Sequence, residues 1–148
     1  MAITIQRLEL RVRPGHLPWD SSRRYDTVDF LLDGRDLQEW LKRWTPPEHR
    51  GVDGYLGHPV GTDVDELLAG RWSGDAEGFG GRTALLGCQC TEIGCGPLVC
   101  TIQIDRSAVT WSEFSRFRGP TFDYEPVEFE FERHMYDQAI EQFMTSRR

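Results

Sequence analysis

Apolar and polar residues alternate at the start of the chain, the period-2 pattern of a half-buried strand. Ile3 and Ile5 share one parity, whereas Leu8, Leu10 and Val12 share the other. The slip at Gln6-Arg7 predicts a β-bulge. Pro14, Gly15 and Pro18 end that strand, and a second is predicted from about Tyr25 to Leu32, closed by Asp33-Gly34. The period then changes. Leu37, Trp40, Leu41 and Trp44 stand at i, i+3, i+4 and i+7, one apolar stripe of a helix expected in the core. Asp36 and Glu39 form an Asp version of the capping box, and Thr45-Pro46-Pro47 stops the helix.

Residues 46–62 are rich in Gly and Pro and read as a long loop. A short helix is predicted from Val64 to Ala69, capped by Thr62 or Asp63 and ended by Gly70. The glycine-rich run from Trp72 to Arg82 reads as a surface loop. It holds no lysine, its Asp75 and Glu77 repel phosphate, and the segment after it is strand-like, all contrary to a phosphate loop. Strands are predicted at Ala84 to Cys90, Leu98 to Asp105 and Ala108 to Phe114. In a further, last strand, Val127, Phe129 and Phe131 alternate with Glu128, Glu130 and Glu132, which predicts one buried and one solvated face. A C-terminal helix packs through Tyr136, Ala139, Ile140 and Phe143. The expected fold is a single α+β domain over residues 1–148, a mainly antiparallel sheet with two longer helices and one short helix.

Composition keeps this reading and narrows the function classes. At 148 residues, with 39% hydrophobic and 28% charged residues, the chain has a globular composition. No apolar run approaches the roughly 18 residues that span a bilayer, and the first residues lack the charged and apolar regions of a signal peptide, so a cytoplasmic protein is expected. Net charge is -7, with -2 in residues 1–74 and -5 in residues 75–148. That field repels phosphate backbones, and nucleic acid is not the expected partner, Arg116-Phe117-Arg118 being too small a basic patch. Among the 17 basic residues only Lys42 is a lysine, a skew that fits a GC-rich bacterial genome.

Four cysteines fall within 13 residues, Cys88, Cys90, Cys95 and Cys100, spaced C-x-C-x4-C-x4-C. Residues two apart on a strand point the same way, so Cys88 and Cys90 can converge. Gly94 and Gly96 let the turn return Cys95 toward them, and Cys100 lies on the returning strand, so four thiolates could reach a tetrahedral zinc. Core packing competes with this, since Leu86 shares the face of Cys88 and Cys90, and Leu98, Ile102 and Ile104 share that of Cys100. A disulfide or a redox-active C-x-C is the third reading, without a nearby Lys or His to lower a thiol pKa. The histidines, His16, His49, His58 and His134, are scattered and suggest no catalytic pair.

The run Leu86-Gly87-Cys88-Gln89-Cys90, then Gly94-Cys95-Gly96-Pro97-Leu98, then Val109-Thr110-Trp111-Ser112-Glu113-Phe114, resembles an uncharacterised family of small bacterial proteins. Its members carry C-x-C, G-C-x-P-L and V-x-W-S-x-F, and the likeness covers roughly residues 85–140. The chain departs from that pattern at Gly96, where an aromatic residue is usual, and in having the fourth cysteine. The resemblance implies no activity. The expected function is that of a small non-enzymatic accessory protein, of immunity or regulatory type, whose partner is another protein and whose cysteine cluster could bind structural zinc or could be plain core thiols. The alternative is a thiol-based redox enzyme or sensor using Cys88, Cys90 and Cys95.

Overall fold

The computed structural model describes residues 2–44, 55–56, 58–59, 64–69, 82–88, 97–116 and 127–147. The first half holds β1 (Ala2–Ile5), β2 (Leu8–Arg13), β3 (His16–Leu17), β4 (Asp20–Arg24), β5 (Thr27–Leu32), β6 (Arg35–Asp36) and α1 (Leu37–Lys42). There follow β7 (Tyr55–Leu56), β8 (His58–Pro59), α2 (Val64–Leu68), β9 (Thr83–Cys88), β10 (Leu98–Ile104), β11 (Ala108–Arg116), β12 (Glu128–Glu132) and α3 (Arg133–Ser146). The class is α+β with mainly antiparallel sheets. A six-stranded sheet runs β1-β12-β11-β10-β9-β7, and only its β1–β12 edge is parallel. In a smaller sheet β5 pairs β2 along one side and shares its other side between β6 and β8. Among the described residues, strands β3 and β4 pair only with each other.

The parity slip at Gln6-Arg7 is a change of sheet rather than a bulge. β1 joins β12 in the large sheet, and β2 joins β5 in the small one. The β5–β6 turn fixes the crossing. Asp33 and Gly34 both have positive φ, 52° and 80°, as a tight hairpin of two central residues requires. The Asp33 carboxylate then accepts from the Gln6 and Arg7 amides at 2.9 and 2.8 Å, and the Asp33 amide donates to the Arg7 carbonyl.

Two longer helices are not found. Only α3, with 14 residues, exceeds six among the described residues. α1 begins where expected, Asp36 accepting from the Gln38 amide at 2.8 Å, but stops at Lys42. Pro46 has no N–H to give the Lys42 carbonyl, and Pro47 none for that of Arg43, so the helix cannot run on to Trp44. Arg43 and Trp44 close it with bonds to Trp40 and Leu41, three residues back. Of the predicted stripe, Leu37 and Leu41 are buried, while Trp40 and Trp44 are only half-buried at the rim of the core. Trp40 keeps a polar handle there, its Nε1–H donating to the Leu32 carbonyl at 2.9 Å while its ring meets Phe129 edge-on.

The core lies between the sheets and α3. Trp111 is fully buried, its ring 4.8 Å from Phe131, 6.0 Å from Phe30 and 6.2 Å from Tyr136. β12 alternates as read, Phe129 and Phe131 inward and Glu130 and Glu132 exposed. The Glu132 side chain also caps α3 by accepting from the Met135 amide. Tyr136, Ala139 and Phe143 pack α3 down, with Ile140 half-buried beside them.

Candidate functional site

Of the four cysteines, Cys90 and Cys95 lie outside the described residues, as does the expected meeting of Cys88, Cys90 and Cys95. The Cys88 backbone ends β9, paired with Tyr55. Cys100 sits on β10 opposite Thr83, five residues before Cys88 on the neighbouring strand. Leu98 pairs with Leu86, so Cys100 and the Cys88 backbone lie two residues to either side of that pair, about 13 Å apart along the sheet at about 3.3 Å per residue. Among the described residues no group of three or more His, Cys, Asp and Glu gathers at one point.

Cys100 is a core residue, fully buried among its apolar neighbours. Burial pushes its thiol well above the ordinary range, against a smaller downward pull from Arg82. The thiolate is the reactive form, so this cysteine is inert at neutral pH. In the folded protein, Cys100 is expected to stay unmodified by Ellman's reagent until denaturant is added. Mass spectrometry of the modified protein checks this. Rapid native labelling of Cys100 would contradict it.

Across from Cys100, β11 carries an extra residue. Val99 pairs with Ser115 and Thr101 with Ser112, so Glu113 and Phe114 together oppose Cys100. Glu113 has φ 56°, the left-handed conformation that the first position of such a bulge requires and glycine usually supplies. Arg82 braces it, its guanidinium bonding Ser115 Oγ and the Glu113 carbonyl. This bulge falls inside the V-x-W-S-x-F run and explains its spacing. Trp111 faces the core before it, and Phe114 faces the core after it.

The other titratable groups also have structural work. His58 is fully buried, and its Nδ1 lies 3.0 Å from the Leu85 carbonyl. A carbonyl only accepts, so Nδ1 carries the proton. Burial lowers the His58 pKa to about 4, which keeps the ring neutral, and the ring joins β8 to β9 beside Phe30. Asp29, the buried carboxylate among the described residues, holds Arg13 at 3.2 Å and is pushed up chiefly by burial. Between α2, β10 and α3 lies a cleft of about 290 Å³ bordered by Asp65, Arg133, Tyr136 and Asp137. Its Arg133 is committed to Asp137 and the Asp105 carbonyl, and its Tyr136 hydroxyl donates to the Leu68 carbonyl. That leaves none of these three in the cleft free for acid–base work.

The feature that sequence periodicity missed is at the opposite extreme of burial. β3 and β4 form a two-stranded arm, turning at Pro18-Trp19, with Trp19 63% exposed. It is the only exposed large hydrophobic residue among those described. Among the described residues, the arm is tied down at its base. The Tyr25 amide donates to the Gly15 carbonyl at 2.8 Å, and the Tyr25 oxygen lies 3.0 Å from where a Gly15 Cβ would stand, which favours glycine. Asp26 binds the Gly15 amide and the Arg24 guanidinium, and Asp29 binds Arg13. Between His16–Arg24 and Leu17–Asp20 the register jumps, so Ser21, Ser22 and Arg23 bow outward on the Asp20 carboxylate, which accepts from Ser22 twice. The one sequence signal was a tryptophan in a Pro- and Gly-punctuated segment that fits neither period.

No family model, curated protein or solved structure matches the chain. Function is therefore read from its own residues. They offer a buried thiol, a buried neutral histidine, a strained bulge and one projecting aromatic arm. Of these only the arm presents chemistry outward.

Proposed function

We propose that the protein is a small non-enzymatic accessory protein of the cytoplasm, of immunity or regulatory kind, that acts by binding another protein, and that the β3–β4 arm is its docking element. The observation that carries this reading is the exposure of Trp19. Tryptophan and arginine are the residues most enriched among those that dominate protein interfaces, and here both stand on one arm outside the core. A two-stranded hairpin with no core of its own gains little stability from an exposed indole, so stability does not account for the residue. In this reading zinc, where held, is structural and takes Cys88, Cys90 and Cys95 as ligands without Cys100. The buried, elevated thiol of Cys100 also removes it from any redox role.

The test is affinity capture from cells with the wild-type chain, Trp19→Ala and, as a control on an exposed face of α3, Gln138→Ala. A protein retained by the wild type and the control but lost with Trp19→Ala is the expected result. Retention that ignores Trp19, or a thiol turnover requiring Cys88 and Cys90, would contradict the reading.

A further inference from the structure

Two arginines at the far end of the small sheet are held differently from the others. The Arg35 guanidinium carbon lies 5.2 Å from the centre of the Trp40 ring, and that of Arg43 lies 5.1 Å from it. Arg7, Arg13, Arg24 and Arg133 each face a carboxylate, whereas among the described residues Arg35 and Arg43 face none. The nearest acids in sequence are occupied elsewhere. Asp33 accepts from the Gln6 and Arg7 amides, and Asp36 from the Gln38 amide. Glu39 is exposed and pairs with neither arginine. Trp40 itself is fixed, its Nε1–H bonded to the Leu32 carbonyl and its ring edge-on to Phe129. Stacking on a ring occupies the flat face of a guanidinium and leaves its N–H edge open to an oxyanion. Arg43 is exposed and Arg35 half-buried, and Lys42 adds an exposed cation beside them. Arg35 pairs with Leu32, at the end of β5 opposite to the Arg13–Thr27 pair that leads into the arm, so this is a separate place on the molecule.

The geometry points to a phosphate-binding clamp: Arg35 and Arg43, braced on Trp40, take one phosphomonoester group between them at the exposed rim of the indole. Both guanidinium carbons are tied to one ring centre, so the two charges stand no more than about 10 Å apart. Like charges held this close repel, and an anion between them turns that repulsion into attraction. A carboxylate brings one charge. A phosphomonoester brings close to two at neutral pH, with three oxygens, enough for a guanidinium fork on each side. A phosphodiester again has one charge per group, and a nucleic-acid strand also meets the chain's net charge of -7. The ligand chemistry is therefore that of a phosphorylated small molecule or a phosphorylated side chain of a protein, and the clamp stands or falls independently of the arm.

An NMR titration of the full chain with inorganic phosphate, at ionic strength held constant with sodium chloride, tests the clamp through the arginine Nε–H signals. Saturable binding in the millimolar range is expected, shifting the Arg35 and Arg43 signals and leaving that of the exposed Arg106 in place. Arg35→Gln and Arg43→Gln should each weaken binding at least fivefold, and Arg106→Gln should leave it unchanged. Arg43 is exposed, so its variant keeps the fold, and urea midpoints check the same for Arg35→Gln. Glu39→Gln should tighten binding, because it removes a negative charge spaced four residues from each arginine. Titration with a short phosphoserine peptide and with glucose 6-phosphate separates the two sources of the group. Tighter binding of the peptide than of its unphosphorylated form and of the sugar ester assigns the clamp to a phosphorylated protein, and the reverse order to a small ester. No saturation at tens of millimolar phosphate overturns the proposal, as does binding that Arg35→Gln and Arg43→Gln leave unchanged or that Arg106→Gln weakens equally. Acetate bound as tightly as phosphate overturns it too, since a singly charged group would then suffice.

Discussion

Truncating Trp111 to alanine is expected to remove about 4–5 kcal/mol of stability, at the upper end for a buried large aromatic. The indole is fully buried and touches both sheets and α3, through Phe131, Phe30 and Tyr136. Its Nε1–H donates to the Tyr136 hydroxyl at 3.1 Å, and that hydroxyl donates to the Leu68 carbonyl at 2.6 Å, so one chain of bonds ties β11 to α3 and α2. Alanine opens a cavity that a sheet centre cannot close and leaves the Tyr136 oxygen short of a donor. Trp111→Phe keeps most of the volume and loses the bond, for about 1–2 kcal/mol. Urea unfolding checks both. A domain of this size has only about 5–15 kcal/mol in all, so Trp111→Ala should be marginal at 37 °C. A loss under about 1 kcal/mol would place Trp111 outside the core.

Acidification from pH 6.5 to pH 4 is expected to cost about 3 kcal/mol through His58 alone. In the unfolded chain the imidazole takes its proton near pH 6.5, whereas in the folded protein burial lowers that pKa to about 4. Between those values the unfolded state binds more protons, so stability present above pH 6.5 is lost progressively as pH falls toward 4. Below that pH the loss from this group is complete. Asp29 acts in the reverse sense in the carboxylate range, because burial raises its folded pKa. His58→Asn retains a donor for the Leu85 carbonyl without a titrating ring. Its stability should be lower than wild type at pH 7 but flatter between pH 6.5 and 4. Stability profiles from urea titrations at half-unit steps of pH measure this. A wild-type slope that survives in His58→Asn would assign acid sensitivity elsewhere.

Much of the fold was legible because the large sheet obeys local rules. Alternation in Glu128–Glu132 named its own buried face, and Asp33-Gly34 named a turn that only positive φ can make. The misreadings share a cause, since each depended on where a segment goes after its local pattern ends. The parity slip at Gln6-Arg7 is compatible with a bulge or a change of sheet, and only the partners β12 and β5 decide. The helix stripe did extend to Trp44 by spacing, but the missing N–H groups of Pro46 and Pro47 bound the helix two residues sooner. Glu113 carries a conformation that its residue type does not announce.

For the site, Cys100 was readable as core from its apolar strand neighbours, and its register opposite Thr83 agrees. Trp19 was not readable. Exposure is a property of what fails to cover a residue, and no periodic signal encodes it. The arm is defined by the pairing of β3 and β4 with nothing but each other among the described residues.

The central claim is that Trp19 contacts a partner protein. Photo-crosslinking in living cells tests it most directly, with a benzophenone amino acid placed at position 19 and, as control, at position 138. The account predicts a discrete protein adduct from position 19 and none from position 138. Adducts of equal yield from both positions, or none from position 19, would contradict it.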